Sequence, residues 1–282
     1  MKRNTVFLFI LGVLLAALTG WTIWGNTALM VSRYTIESGE LPERFEGFTI
    51  AQVSDLHNAA FGAGNEKLLQ LLEEQAPDVI FITGDLVDSR RTDIKVAAEF
   101  AAACADIAPT YYATGNHESR IDSYAALEDA LIKSGVTVLR DEAISLDRDG
   151  QWIQIIGLDD PDFTVGRDWL FDDSDAAVNQ VLSELVEENA FTVMLSHRPE
   201  LFDVYVKNGV NVTLSGHAHG GQFRLPLVGG LIAPDQGLFP VYDAGVFSEG
   251  NCCMVVSRGL GNSILPIRFN NRPELVMVTL QS

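Results

Sequence analysis

Phe48-Thr49-Ile50-Ala51-Gln52-Val53-Ser54-Asp55-Leu56-His57 is the stretch on which the fold turns. Residues 48–53 read as a buried strand, a short apolar run with β-branched members. The run passes without a break into an Asp-x-His pair. The same arrangement recurs down the chain. Residues 78–83 lead into Gly84-Asp85, and 110–113 lead into Gly115-Asn116-His117-Glu118. Residues 192–195 lead into Ser196-His197-Arg198, and 211–214 lead into Gly216-His217-Ala218-His219-Gly220. Open α/β sheets bind ligands outside the carboxyl ends of their strands. Five strand ends bearing Asp, Asn and His therefore predict one shared site.

The intervening segments read as helices. Leu68, Leu69, Leu71 and Leu72 predict a short amphipathic helix that stops before Pro77. Helices are expected over 92–107 and 122–134, a strand over 152–158, and a helix over 174–189 with Ser174 or Asp175 as N-cap. The tail from 222 to 280 holds strand-like runs at 254–257 and 275–280 and little helix. Strand–loop–helix repetition predicts an α/β domain over 49–282, behind a Glu-rich connector over 33–48 with a break at Gly39–Pro42. No internal repeat or second domain boundary is visible.

Residues i and i+2 of an extended segment point to the same side. Asp55 and His57 can thus chelate one ion together, and His217 and His219 can enter the same cavity. A carboxylate has two oxygens, so Asp85 can bridge two ions about 3.5–4 Å apart. Asn116 offers an amide oxygen and His197 another imidazole. His117, next to Asn116, points elsewhere and is free to act on a substrate. Any one of these motifs alone is ordinary turn chemistry. All five histidines of the chain, however, sit in them, and a His/Asp cluster is a metal-site signature.

The N-terminus is of a different kind. Residues 4–32 carry no charge, and 6–24 are apolar almost throughout. About 20 such residues span a hydrocarbon core roughly 30 Å thick, so 1–32 is expected to be a transmembrane anchor. A cleaved signal sequence is the alternative, but the run exceeds the usual h-region of about 7–15 residues and no small-x-small site follows. Trp21, Trp24 and Met30 suit an interfacial belt. Lys2 and Arg3 precede the span. Beyond it, Arg33 and Arg44 are diluted among Glu37, Glu40, Glu43 and Glu46, which predicts a cytoplasmic N-terminus and an extracytoplasmic domain.

The net charge of −19 argues against a nucleic-acid partner, because that binding depends on Lys and Arg neutralising phosphates. Two divalent ions would return about +4 locally, enough to attract an anionic substrate. Cys104, Cys252 and Cys253 form no CxxC and read as buried small hydrophobes.

Taken in order, Asp55-x-His57, Gly84-Asp85, Gly115-Asn116-His117-Glu118, His197 and Gly216-His217-Ala218-His219 resemble the motif set of the calcineurin-like metallophosphoesterases. Residues 257–263 and 268–274 are similar to the membrane-tethered YkuE/YaeI-type subgroup. The resemblance implies a four-layer αββα sandwich, two mixed β-sheets flanked by helices. It also implies one ion on Asp55, His57, Asp85 and His219 and a second on Asp85, Asn116, His197 and His217. The metals would be Mn, Fe or Zn, which mixed N/O donors without thiolate accommodate. A bridging hydroxide would attack phosphorus, and His117 would protonate the leaving oxygen. Glu118 and Asp88 are candidates to orient a ligating His. Arg198 and Arg258 are candidates for phosphate contact, since the guanidinium fork matches phosphate.

Rival classes fare worse. HExxH is absent, because His117-Glu118 is followed by Ser-Arg-Ile, and no GxSxG elbow occurs. Gly220–Gly221 is no P-loop and reads as a place where backbone passes close to the metals. A non-catalytic metal-stabilised binding domain would be expected to lack His117 or a bridging group. The expected substrate is a phosphomonoester or phosphodiester, lipid-linked or cell-envelope related. A UDP-2,3-diacylglucosamine-type pyrophosphate is the alternative and requires a cytoplasmic domain. The expected oligomeric state is a monomer.

Overall fold

A computed structural model describes residues 3–165, 173–262 and 266–282. Lys2 and Ser263, used in the topology reading and the resemblance, lie outside the described residues. The chain opens with α1 (Arg3–Thr27), followed by β1 (Met30–Glu37), β2 (Thr49–Val53), α2 (Glu66–Gln75), β3 (Val79–Thr83), α3 (Ile94–Ile107), β4 (Thr110–Ala113), α4 (Tyr124–Lys133) and β5 (Thr137–Val138). Next come β6 (Glu142–Arg148), β7 (Gln151–Gly157), α5 (Ser174–Leu185), β8 (Thr192–Leu195), α6 (Phe202–Lys207) and β9 (Val212–Ser215). Four two-residue strands follow, β10 (Arg224–Leu225), β11 (Gly229–Gly230), β12 (Ile232–Ala233) and β13 (Gly237–Leu238), then β14 (Gly245–Glu249), β15 (Cys252–Val256) and β16 (Glu274–Gln281).

Two six-stranded mixed sheets form, in the orders β1-β16-β2-β3-β4-β5 and β14-β15-β9-β8-β7-β6. The period-2 alternation of each strand explains how they stack. Along β3, Val79 and Phe81 enter the layer between the sheets, where they meet Ile155, Val193 and Leu214. Ile80 and Ile82 face the other way, onto Leu68, Leu72, Phe100 and Leu127 of α2, α3 and α4. In β8, Val193 and Leu195 point inward while Met194 packs on Val178, Leu182 and Tyr205 of α5 and α6. Strands buried on both faces have no polar side, and each such large apolar side chain contributes roughly 1.5–3 kcal/mol. The result is the expected four-layer αββα sandwich.

Four differences from the sequence reading have physical causes. Part of the expected connector is β1, which pairs in parallel with β16 along all eight residues. Its burial alternates at an edge, with Ile36 buried between exposed neighbours, so a short window reads as polar linker. α5 ends at Leu185, not 189, because Gln154 of β7 donates to the Leu185 carbonyl and accepts from Glu187 N–H. Its capping position is Asp173, one residue before the expected pair. Cys104 and Cys252 are buried as expected, whereas Cys253 is only half-buried on the edge pair β14–β15.

α1 is long and apolar enough to cross a membrane, and no part of that apolar window is buried. Its last turn is tied to the domain. Asn26 accepts from Arg268 N–H at 2.9 Å and donates to the Arg268 carbonyl at 3.2 Å, and the Arg272 guanidinium lies 4.8 Å over the Trp24 ring.

Candidate metal centre

The five motif histidines converge, but not by the expected geometry. Asp55, His57, Asp85, His217 and His219 have φ of 52°, 47°, 51°, 65° and 48°, so the pairs Asp55/His57 and His217/His219 lie on left-handed turns and not on extended strand. A non-glycine residue in this region costs about 1–3 kcal/mol, and such strain gathers at functional sites. Glycines let the turns close on one another. A Cβ on Gly216 would lie 1.9 Å from Ser54 Oγ and 2.4 Å from Asp55 Oδ2, and one on Gly115 would lie 2.4 Å from Asp85 Oδ1.

Two groups of ligand atoms result, Asp55–His57–Asp85–His219 and Asp85–His197–His217, all buried. In the first, His57 Nε2 lies 3.1 Å from His219 Nε2 and 3.5 Å from Asp85 Oδ2, and His219 Nε2 lies 3.4 Å from Asp55 Oδ1. In the second, His197 Nε2 is 3.3 Å from Asp85 Oδ2 and 3.2 Å from His217 Nδ1. Asp85 belongs to both through a single oxygen, Oδ2. Its Oδ1 accepts the His117 N–H at 2.7 Å. A bridge by Asp85, expected from its two oxygens, would therefore fall to one of them.

Asn116 lies beside the second group. Its carboxamide oxygen lies 3.1 Å from Asp85 Oδ2, 3.2 Å from His217 Nδ1 and 3.3 Å from His197 Nε2, all acceptors, while its nitrogen faces the Arg120 guanidinium at 2.6 and 2.8 Å. Turned over, the amide would satisfy both sides in a metal-free protein. The buried imidazole and carboxylate atoms that converge around Asp85 Oδ2 form a donor set that fits a divalent metal.

The outer nitrogens of two rings are oriented as metal-binding imidazoles usually are. His197 Nδ1 lies 2.9 Å from the Thr83 carbonyl, which leaves Nε2 for an ion. His217 Nε2 lies 2.8 Å from Asp235 Oδ2, which leaves Nδ1. Burial holds His57 down at about 3, so its ring is a neutral donor. Burial opposes charge on His197 too, but Asp85 and Asp55 outweigh it and push that ring up to about 10.

His117 sits at the rim of the first group, its ring 4.5 Å from that of His57. Its Nδ1 accepts the Ser89 N–H at 3.0 Å and lies 3.7 Å from Asp88 Oδ1. Asp88 thus neighbours His117 and not a member of the two groups. Glu118 orients no histidine. It is fully buried and accepts four backbone N–H groups, Asp85 and Gly115 on Oε2 (2.9 and 2.8 Å), Leu86 and Val87 on Oε1 (2.8 and 3.2 Å). Burial and the Asp85 charge push it up to about 8, against those four donors.

Arg198 is turned away from the phosphate role. It is buried with Nε 2.6 Å from Asp160, Nη2 3.0 Å from Asp162, and Nη1 2.5 Å from Asp235 and 3.5 Å from Glu200. A guanidinium already facing four carboxylates has no fork left for phosphate. Arg258 turns to Glu274, 3.7 Å away. Gly220 and Gly221 admit Asn271 and Gly230, not metal, since a Cβ on either would meet those residues at 2.4 and 2.3 Å. Asp235, Asp160, Arg120 and Ser89 escaped sequence reasoning. Only Ser89 and Arg120, each within a few residues of a motif, carried a local signal.

The model of the calcineurin-like phosphoesterases matches residues 48–221. Metallophosphoesterase YkuE of Bacillus subtilis is 32% identical over 270 residues, covering 89% of this chain and 85% of that protein. Phosphodiesterase YaeI of Escherichia coli is 28% identical over 238 residues, covering 83% and 82%. A transmembrane protein with a metallophosphoesterase domain from Danio rerio is 26% identical over 251 residues, covering 86% of this chain and 55% of that protein.

Proposed function

The chain belongs to the calcineurin-like phosphoesterase family, metal-dependent hydrolases of phosphoric esters, and from that premise we propose a membrane-anchored, two-metal enzyme acting on a lipid-linked or cell-envelope phosphoester. One ion is held by Asp55, His57, Asp85 and His219, the other by Asp85, Asn116, His197 and His217. Mn, Fe or Zn all suit these donors. When bound, two such ions supply Lewis acidity to the phosphoryl oxygens and a water acidic enough to attack at neutral pH.

The chain's own residues supply the rest. With Nδ1 turned towards Ser89 and Asp88, Nε2 is the nitrogen of His117 left to protonate the leaving oxygen, which it does from the imidazolium form, its Nδ1–H then set against Asp88 Oδ1 3.7 Å away. The observation that carries the reading is Asp85 Oδ2, which His57 faces at 3.5 Å and His197 at 3.3 Å. The likeness to the phosphodiesterase YaeI supports a diester substrate, and the likeness to a transmembrane protein of Danio rerio supports the anchor.

Elemental analysis of the purified full chain in detergent should find close to two transition-metal ions, with activity lost on chelation. Full activity with one ion or none would sink the two-metal reading. Profiling against phosphomonoesters, phosphodiesters, nucleotide-sugars and phospholipids then identifies the substrate class. The charge asymmetry about the apolar span supports a domain outside the cytoplasm, so a C-terminal alkaline phosphatase fusion should be active in a bacterial host and a C-terminal GFP fusion dark. The opposite pattern overturns that placement and favours the UDP-diacylglucosamine-type substrate.

A further inference from the structure

Between the GHAHGG loop and β14 the chain throws out an arm of two small hairpins, β10–β11 and β12–β13. Several of its large apolar side chains point into solvent. Leu227 is fully exposed, and Val228, Leu238, Phe239 and Val241 are each more than half exposed. Two-residue strands supply too few backbone bonds to explain five exposed large hydrophobics, so the cluster marks an interaction surface.

The base of the arm leads straight to the anchor. Phe223 bridges Phe269, and Arg224 N–H donates to the Phe269 carbonyl at 3.0 Å. The preceding residue, Arg268, is the one that exchanges hydrogen bonds with Asn26 in the last turn of α1. Ile267 and Phe269, on either side of Arg268, are themselves exposed. Arm and apolar helix thus leave the same short segment, at the end of α1 that bears Trp21 and Trp24, side chains suited to a bilayer interface. Charge agrees with this. In a chain of net charge −19, residues 222–234 contain Arg224 and no acid, and residues 250–273 contain Arg258, Arg268 and Arg272 and no acid; the two acids at the far end of the arm, Asp235 and Asp243, are each paired with an arginine, Arg198 and Arg224. Lipid headgroups are often anionic, and a face set against them should be free of carboxylates.

We propose that this arm docks on the surface of the bilayer that α1 enters, with Leu227, Phe239 and their apolar neighbours dipping into the headgroup–acyl boundary. The inference rests on α1 being a membrane anchor. The docked domain has its candidate metal centre near the lipid surface. The Arg268 guanidinium lies 3.4 Å from His219 Nδ1 while its backbone is bonded to α1. Such a domain suits a phosphoester whose headgroup is presented by the bilayer.

The test uses the full chain reconstituted in phospholipid vesicles, with an environment-sensitive fluorophore on Leu227→Cys in a Cys253→Ser background and a second sample labelled at Leu14→Cys in α1. Brominated acyl chains should quench both labels several-fold. A quenched Leu14 label beside a Leu227 label that stays in water, or that reports a neighbouring copy of the chain, overturns the docking alone. An unquenched Leu14 label overturns anchor and docking together. Neither readout needs turnover, so the outcome is independent of the hydrolase reading. The double variant Leu227→Asp/Phe239→Asp should keep its rate on a water-soluble phosphodiester and lose tenfold or more on one embedded in vesicles. Equal rates on both would also overturn the docking.

Discussion

Glu118 Oε2 accepts the backbone N–H of Asp85 at 2.9 Å, so the last residue of one motif shapes the turn that carries the shared carboxylate of another. The same oxygen takes Gly115 N–H, and its partner oxygen takes Leu86 and Val87. Glu118→Gln puts an NH₂ where two N–H groups need an acceptor. A buried donor left without an acceptor costs about 1–3 kcal/mol, so two of them are expected to cost about 2–6 kcal/mol. At roughly 2–4 °C per kcal/mol for a domain of this size, calorimetry should show Tm falling by about 4–24 °C, with reduced metal content. An unchanged Tm would mean that the turn is held by something else.

Asp235 is expected to act through His217. Its carboxylate, 2.8 Å from His217 Nε2, leaves Nδ1 for an ion. Removal of such an outer partner typically weakens metal binding about 10–100-fold. Asp235→Ala should weaken one of the two ions by that factor, read by competition with a chelator dye. Asp235→Asn, which still offers an oxygen, should recover part of it. A purely structural role for Asp235 predicts no such rescue.

His117→Ala should keep both ions while kcat falls by about 10²–10⁴, the usual worth of general acid–base catalysis. The loss should shrink for a nitrophenyl ester, whose leaving group needs no proton. Asn116→Ala should instead lower metal occupancy, with added Mn²⁺ restoring part of the activity. Equal losses for good and poor leaving groups, or a stripped ion in His117→Ala, would remove the acid assignment.

β1 sets where a soluble fragment can begin. It pairs with β16 at eight positions from Met30 to Glu37 and buries Ile36 between the sheets. A fragment starting at residue 28 should be folded and monomeric. One starting at residue 39 exposes the long apolar β16 as an edge strand and should aggregate, measured by size-exclusion chromatography with light scattering. Equal behaviour of the two fragments would show β1 to be dispensable.

Much of the molecule was legible in the sequence because its signals are local. Strand β3 shows its two-faced burial in four consecutive apolar residues. Four of the five strands that bear a motif announce their end by Asp, Asn or Gly, and β8 does so by Ser196 and His197. The order of Asp55, His57, Asp85, Asn116, His197, His217 and His219 along the chain is enough to predict a shared site, since strands in an open sheet end on one side. The apolar run of α1 needs only its length.

What the tertiary structure decided are relations between residues distant in sequence. No window around Asp85 says that its Oδ1 is taken by His117 N–H, leaving Oδ2 to face both groups. Nor does one say that Asp55, His57, His217 and His219 stand on left-handed turns, because only packing against Ser54, Gly115 and Gly216 holds the backbone there. Arg198 looks like a phosphate ligand until the fold surrounds it with Asp160, Asp162, Glu200 and Asp235, and Glu118 looks like a partner for histidine until four amides close on it. Motif spacing encodes which groups can meet. The atom each group presents depends on hydrogen bonds made across the sheets, which the chain acquires only on folding.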